Sequence, residues 1–372
     1  MESYPYTALA YATALLFAFF FAHIAEKYKN KKNKTFFYGL AFIVIILFCG
    51  LRFFVGNDYS GYYYNFQRIS TYNLSFWKQR WEPGIYVITQ IFKNCKVGYF
   101  FFLFTCSLLT YIFIFKTLVY NNVLKWGVFF TFTLGLLIMA NDQVRQAVSL
   151  SIFLYSIKYI ELNNFKTYLK WMILATLFHY TAIVLIPIFF LKNIKLNSFI
   201  FSILIIVTYI GFRFGIFYDL IFALIEKIPY YGELYLARER FFEIDQTGSG
   251  LTILFKTLIA LFVAVFYNKI NKPIYATLFL YGSILANISV GFMPIERFSY
   301  YLVYTNIIVL PLMLKHNFTK PFTKGLVVIA SVYFLLVSFY GLEKHGAVPY
   351  RTIFYKNVTS PKSEYIKPPV SR

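Results

Sequence analysis

Long stretches of apolar residues constrain this chain more than any other feature. A membrane-spanning helix needs about 20 predominantly apolar residues, and such runs lie at about 7–25, 36–54, 97–118, 124–140, 143–160, 198–218, 251–268, 273–290, 298–314 and 323–341. The composition agrees, because 59% of the 372 residues are hydrophobic and only 14% are charged. We therefore predict an all-α, polytopic integral membrane protein built as a helical bundle.

A further apolar run, 167–191, decides how often the chain crosses the bilayer. It fits either one tilted helix or two short segments that turn near His179. The loop 26–35 is rich in lysine, which places it in the cytoplasm by the positive-inside rule. Only the two-segment alternative also puts the later lysine-bearing loops in the cytoplasm, so it is favoured. The prediction is about 11–12 membrane segments, with the higher number preferred.

The net charge of +21 does not indicate a nucleic-acid partner, because the charges form short clusters between apolar runs. In the two-segment topology the cytoplasmic loops use lysine alone, and every arginine lies in an outer loop, near an outer helix end or in the C-terminal tail. Arginine pairs with phosphate bidentately, whereas lysine acts as a point charge. This sorting favours a phosphate-binding outer face; the alternative is that lysine marks the topology and the arginines are too few to be significant.

The apolar runs define a single membrane-embedded domain, 1–341, followed by a polar C-terminal tail, 342–372. Two outer loops are long, 55–96 and 219–250, and their aromatic residues suit either sugar rings or an interfacial belt. In the first loop, Ile85–Phe92 is predicted to be an amphipathic interfacial helix. The cysteines and histidines have no metal-ligand spacing, so no metal or other cofactor is expected.

Ionisable residues close to apolar runs are the candidates for chemistry, since each costs at least about 2.5–3.5 kcal/mol to insert without a partner. Arg52 lies near the outer end of the second helix. A turn at Gly56 would bring Asp58 to it. The alternative is an arginine that snorkels beside the C-terminus of a helix.

Two more arginines lie at predicted helix starts. Asp142 is predicted to be the N-cap of the fifth helix, with Gln146 shortly beyond it. Arg145 follows in the first turn, where a cation is unfavourable unless an anion is near, so it indicates an anion site; the alternative is an interfacial anchor. Arg297 lies beside a later helix start, next to Glu296, and these two could simply neutralise each other.

His179 lies in the middle of a long apolar run. It is either a satisfied hydrogen-bonding residue or a base, and a reversal of the chain there would bring it to the outer surface of the bundle. With Arg52, Arg145 and Arg297 it predicts an electropositive pocket for a diphosphate, in which His179 or Asp58 supplies the base. The residues thus indicate chemistry or recognition of a lipid-linked phosphate at the outer leaflet.

Five motifs give the chain a resemblance to a known family. They are Gly50–Tyr59 (GLRFFVGNDY), Trp81–Gly84 (WEPG), Arg145–Ala147 (RQA), Leu177–Ala182 (LFHYTA) and Arg297–Tyr300 (RFSY). In this order and spacing, over about residues 1–340, the chain resembles the EpsG family of Wzy-type polysaccharide polymerases. It departs from many members at Asn57, where they have threonine.

The resemblance implies a membrane glycosyltransferase with a GT-C-like helical core, acting without a metal at the outer face of the bacterial cytoplasmic membrane. Its substrates would be oligosaccharide repeat units on undecaprenyl diphosphate, polymerised into O-antigen, capsule or exopolysaccharide. The implied partners are the lipid bilayer, a chain-length regulator and a flippase.

For that reaction we expect Arg145 and Arg297 to hold the diphosphate, while Arg52 is held by Asp58 or shares a site with it. His179 is favoured over Asp58 as the base that deprotonates the acceptor hydroxyl. Further contacts with the substrate are expected from Tyr59, Glu82, Gln146 and Glu296.

Two other classes of protein fit the same residues. A ligase-like transferase or an O-acetyltransferase would act on the same lipid-linked sugars, and a flippase or exporter would move them without chemistry. A transporter is expected to show inverted repeats and charges at the membrane midplane. The chain shows no clear internal repeat and its charges lie near one face, which favours an enzyme.

Overall fold

The computed structural model describes residues 4–68, 81–192, 196–217, 220–221, 223, 251–289, 292–317, 319–340 and 346–354. In this part the chain is helical, with an isolated β-bridge between Arg52 and Thr352. The α-helices are α1 (Pro5–Lys27), α2 (Lys31–Gly50), α3 (Tyr59–Arg68), α4 (Pro83–Phe92), α5 (Gly98–Tyr120), α6 (Leu124–Thr133), α7 (Leu136–Asp142), α8 (Val144–Glu161), α9 (Phe165–Thr176), α10 (Ile188–Leu191), α11 (Ser198–Arg213), α12 (Leu251–Val265), α13 (Pro273–Ile288), α14 (Met293–Val303), α15 (Asn306–Lys315) and α16 (Lys320–Tyr340). The predicted class, a polytopic helical membrane protein, is confirmed.

Five spans among the described residues are long and apolar enough to cross a membrane, or six if the bent pair α6 and α7 is one span. They are α1, α2, α5, α14 together with α15, and α16. The other apolar helices are shorter, and α8 carries charged residues near both ends. The predicted number of about 11–12 membrane segments therefore stays a prediction.

The described helices belong to two compact units, Met1–Pro187 with Lys324–Arg372, and Ile188–Thr323. In the first unit α1 and α2 form a hairpin, α2 packs on α5, α5 packs on α8, and α8 packs on α9. The side chain of Asn30 accepts a hydrogen bond from Lys32 N–H, and this cap begins α2. Gly135, with a φ of 85°, forms the 60° bend between α6 and α7.

The two ends of the first unit differ in the basic residue that they carry. At one end, where α1 terminates at Lys27, the Lys125 N–H at the start of α6 donates to Glu26 Oε1 over 3.1 Å. From there α6 and α7 run to Asp142 at the opposite end, where α2 also terminates and α8 begins. We call these the lysine end and the arginine end, since Arg52 and Arg145 lie at the second.

The apolar run 167–191 is broken at His179. Helix α9 stops at Thr176, and a 3-10 helix follows over Tyr180–Leu185. The Tyr168 hydroxyl donates to Leu185 O over 2.6 Å, although 17 residues separate them. A continuous helix would hold these residues about 25 Å apart. The chain therefore folds back on α9, which confirms the predicted turn near His179, while the membrane crossings of the two segments stay a prediction.

The second unit is organised around buried polar and small residues. The Thr257 hydroxyl donates to Asn287 Oδ1 over 3.2 Å, and Asn287 Nδ2 donates to Thr208 Oγ1 over 3.3 Å, so one amide joins α11, α12 and α13. At Gly282, a Cβ atom would lie 2.6 Å from Leu302 Cβ, which shows how closely α13 and α14 cross. The predicted outer loop 219–250 lies almost entirely outside the described residues.

Candidate active site

Arg52 is buried at the arginine end of the first unit and is held by neutral groups. Its Nη1 donates to Cys49 O over 2.5 Å and to Ser107 Oγ over 3.1 Å, and its Nη2 donates to Asn141 O over 3.1 Å. The guanidinium thereby joins the end of α2 to α5 and α7. A helix C-terminus offers unpaired carbonyls that attract a cation.

The expected Arg52–Asp58 ion pair is not formed, because these carbonyls and Ser107 take the guanidinium instead. Arg52 is 0% exposed, and its Nε is buried without a hydrogen-bond partner in the described part of the chain. This burial keeps Arg52 from direct contact with a ligand in the observed conformation.

The turn after Arg52 docks on the junction between α7 and α8. Asp58 N–H donates to Asp142 Oδ1 over 2.8 Å, across 84 residues of sequence. Gly56 has a φ of 104°, and a Cβ atom there would lie 2.9 Å from Asn141 O and from Asp142 Cα. Only glycine fits this approach without strain.

The predicted N-cap role of Asp142 is wrong. Asp142 is the last residue of α7, and Gln143 precedes α8 without a side-chain capping bond. The carboxylate is used by the distant Asp58 amide instead. Gln146 is buried one turn into α8.

Residues 346–354, which we call the C-terminal strap, hold this turn from the other side. Phe53 N–H donates to Arg351 O over 2.8 Å, Ile353 N–H donates to Leu51 O over 2.9 Å, and Gly56 N–H donates to Gly346 O over 2.9 Å. The backbone of Arg52 is therefore flanked by hydrogen bonds to the strap.

Tyr350 anchors the strap to α1 and α2. Its ring stacks on Phe48 with centroids 4.2 Å apart, and its hydroxyl donates to Phe48 O over 2.7 Å. Its N–H donates to Thr7 Oγ1 over 3.0 Å. Sequence reasoning treated this segment as a polar tail. The stretch Gly346–Tyr350, which carries no charge, was the signal that it packs.

Arg145 lies in the first turn of α8 and has an acidic partner. Its Nη1 donates to Glu82 Oε2 over 2.8 Å, and its Nε donates to the Tyr62 hydroxyl over 3.3 Å. The Glu82 side chain is 5% exposed and that of Arg145 is 27% exposed. Burial raises the pKa of the Tyr62 phenol, with the charge of Arg145 acting against it, so a neutral phenol accepts this bond. The anion expected beside Arg145 is thus supplied by the chain itself.

The motif around Glu82 also meets the turn that carries His179. Gly84 N–H donates to Leu177 O over 2.8 Å, and a Cβ atom on Gly84 would lie 2.9 Å from that oxygen. His179 follows two residues later, partly exposed, with its Nδ1 2.6 Å from Thr181 Oγ1. The contacts therefore connect Arg52, the α7–α8 junction, Arg145, Glu82 and the His179 turn within the first unit.

The remaining predicted site residues have other surroundings. Tyr59 is 3% exposed among aromatic rings, and its carbonyl accepts a hydrogen bond from the Tyr99 hydroxyl over 3.0 Å. In the second unit, Glu296 Oε1 accepts from the Tyr300 hydroxyl over 2.9 Å. Arg297 lies close to the start of α14, which begins at Met293, and its convergence with Arg52 and Arg145 stays a prediction. In the described part of the chain, His, Cys, Asp and Glu nowhere cluster in a way that would hold a metal ion.

The sequence profile of the EpsG family matches residues 35–352, well over half of the chain, and covers every motif placed above. The chain belongs to the EpsG family. Membership supports a polysaccharide polymerase-like membrane protein of polysaccharide biosynthesis. No curated protein and no solved structure shows significant similarity to this EpsG-family chain.

Proposed function

We propose that the chain polymerises oligosaccharide repeat units carried on undecaprenyl diphosphate into a surface polysaccharide. The family match supports polysaccharide polymerisation in a membrane. The observation that carries the finer proposal is Arg145, a partly exposed guanidinium at the meeting point of several motifs. An arginine in that position can hold the diphosphate that leaves when a glycosidic bond is made.

The reaction needs stabilisation of a leaving group more than it needs a covalent catalyst. As the bond between the sugar and the diphosphate breaks, negative charge grows on the phosphate oxygens. A guanidinium aimed at that charge binds the transition state more strongly than the ground state. Arg145 is partly exposed and a ligand can reach it, whereas Arg52 is buried and fixes the turn behind it.

Arg297 remains a proposed second contact to the diphosphate on sequence grounds alone. The acceptor hydroxyl requires a base, for which the sequence offers His179 and Asp58. No resident metal is part of the proposal, since arginines can supply the positive charge.

The proposed compartment follows from the two ends of the first unit. The loop beside Lys27 is the most lysine-rich in the chain, and such loops remain cytoplasmic. Arg145 and His179 lie at the opposite end, so the reaction is proposed to take place at the outer face of the bacterial cytoplasmic membrane. A chain-length regulator and a flippase that delivers repeat units are the proposed partners.

Reconstitution tests this proposal against its competitors. Purified protein in proteoliposomes is given undecaprenyl-diphosphate-linked repeat units, and the products are separated by size. A ladder of products indicates a polymerase, one transfer onto a different acceptor indicates a ligase or an O-acetyltransferase, and unchanged sugars that cross the bilayer indicate a flippase.

Arg145→Lys tests the role of the guanidinium in the same assay, with Arg213→Lys, an exposed arginine, as the matched control. We expect short products from the first variant and wild-type products from the second. Full-length polymer from Arg145→Lys at normal protein level would remove Arg145 from the mechanism.

A further inference from the structure

The carboxylate of Glu82 is the internal anion of Arg145, and it has an unusual position. Glu82 directly precedes α4, the position from which a side chain can cap the free N–H groups of its own helix. Its side chain makes no such cap and bonds to Arg145 instead. With 5% of the side chain exposed, this carboxylate has little contact with water, and Arg145 is its counter-charge.

The guanidinium of Arg145 has donors left for a ligand. Nη1 bonds to Glu82 and Nε bonds to Tyr62, while Nη2 makes no hydrogen bond to a described residue. A guanidinium carries five N–H donors in a planar fork. A diphosphate bound at Nη2 would therefore share the arginine with Glu82.

A shared arginine changes the chemistry of the carboxylate. The diphosphate carries more negative charge than Glu82, so it draws the guanidinium towards itself. Glu82 then loses its hydrogen bond and its counter-charge while it stays buried, and its carboxylate oxygen is left able to accept a proton from a hydroxyl. The carboxylate becomes a base at the moment when the donor substrate is bound.

We infer that Glu82 is the base that accepts the proton of the acceptor hydroxyl, and that binding of the donor diphosphate to Arg145 activates it. This inference rests on the proposed function. The acceptor oxygen forms a bond to the anomeric carbon, and its proton moves to Glu82. The bond between that carbon and the diphosphate oxygen breaks, and the electron pair leaves with the diphosphate, which Arg145 holds. When the diphosphate is released, Arg145 pairs with Glu82 again, and the proton on Glu82 passes to water.

His179 is the main rival for this role, and it lies close enough that both residues need the same test. Gly84, two residues after Glu82, is bonded to Leu177, two residues before His179. However, the His179 ring is engaged with Thr181. Among the described residues, the ion pair of Arg145 is formed with Glu82 and not with His179.

The test compares Glu82→Gln, Glu82→Asp and His179→Gln with wild type in proteoliposomes. Glu161→Gln, an exposed acid at the lysine end, is the matched control. One measurement is the single-turnover rate with saturating lipid-linked repeat units. The other is the affinity for undecaprenyl diphosphate, which reports a folded site independently of turnover.

For Glu82→Gln we expect the rate to fall roughly 10²–10⁴-fold, the usual contribution of a general base. Affinity for undecaprenyl diphosphate should stay equal or rise, because the competing internal anion is gone. Glu82→Asp should keep part of the rate, since it keeps the carboxylate.

Three results would overturn the inference. One is a wild-type rate in Glu82→Gln, and another is a parallel loss of rate and affinity, which is what a purely structural ion pair predicts. The third is a wild-type protein that forms no ladder, which removes the proposed function as well. If the wild type forms a ladder and Glu82→Gln reacts at the wild-type rate, only the inference is removed and the proposed function stands.

Discussion

Replacing Arg145 or Glu82, the two members of the ion pair, should have unequal effects on the free energy of unfolding, because the two side chains differ in exposure. Arg145→Gln leaves a carboxylate that is 5% exposed without a counter-charge. Breaking a buried pair in this way costs about 3–5 kcal/mol. Glu82→Gln leaves a guanidinium that is 27% exposed and keeps part of its hydration. That cost should be about 1.5 kcal/mol, the lower end for a hydrogen bond to a charged group.

The double variant Arg145→Gln/Glu82→Gln removes both charges and should be more stable than Arg145→Gln alone. The coupling between the two sites should therefore be about 2–3 kcal/mol. The free energy of unfolding can be measured by titrating SDS into mixed micelles and following tryptophan fluorescence for the wild type and the three variants. Glu161→Gln, on an exposed surface, should change it by no more than about 0.5 kcal/mol.

The reasoning would be refuted if Glu82→Gln were as destabilising as Arg145→Gln. Additive costs in the double variant would refute it too, since they would mean that the pair contributes no interaction of its own.

Three further predictions concern the backbone, the strap and the compartment. Gly56→Ala should destabilise the protein by about 1–3 kcal/mol, because alanine is strained at a φ of 104° and its Cβ meets Asn141 and Asp142. Gly39→Ala, whose Cβ would have no neighbouring atom within 4 Å, should leave the free energy of unfolding unchanged in the same assay. A chain truncated after residue 354 should form polymer at the wild-type rate, whereas one truncated after residue 345 should form no polymer even where it is inserted normally in the membrane. Product ladders measure the polymer and immunoblots measure the inserted protein. Equal ladders from both truncations would contradict the role given to the strap. Cys95 is exposed, while Cys49 and Cys106 are buried. A membrane-impermeant maleimide should therefore label the protein in intact spheroplasts through Cys95 and should not label the Cys95→Ser variant. Labelling only after lysis would reverse the proposed orientation.

The class of the fold could be predicted from the sequence because each apolar run is a local property of the chain. The run 167–191 marks the limit of such a local prediction. Its hydropathy fits one helix or two, and the choice depends on the hydrogen bond between Tyr168 and Leu185, which forms only once the chain has turned. Hydropathy detects the apolar residues, but it does not detect the turn between them.

The candidate site divides in the same way. The individual residues Arg52, Arg145 and His179 could be selected because ionisable groups beside apolar runs are costly, and Glu82 could be selected from the family resemblance. Their partners could not, because each partner arrives from a distant part of the sequence. Asp58 was assigned to Arg52 by proximity along the chain, yet the carbonyls at the end of α2 and α7 were better placed. Asp142 was assigned to its own helix, yet it accepts from Asp58, 84 residues away.

The C-terminal strap has a consequence for how the protein is made. The ribosome reaches residues 346–354 only after it has completed every helix described above, including α1 and α2, on which the strap settles. Until then the Phe53 and Gly56 amides lack the carbonyls that hold them. Under the proposed function, a nascent chain already inserted in the bilayer would complete this turn, and begin sugar transfer, only after synthesis had passed the strap.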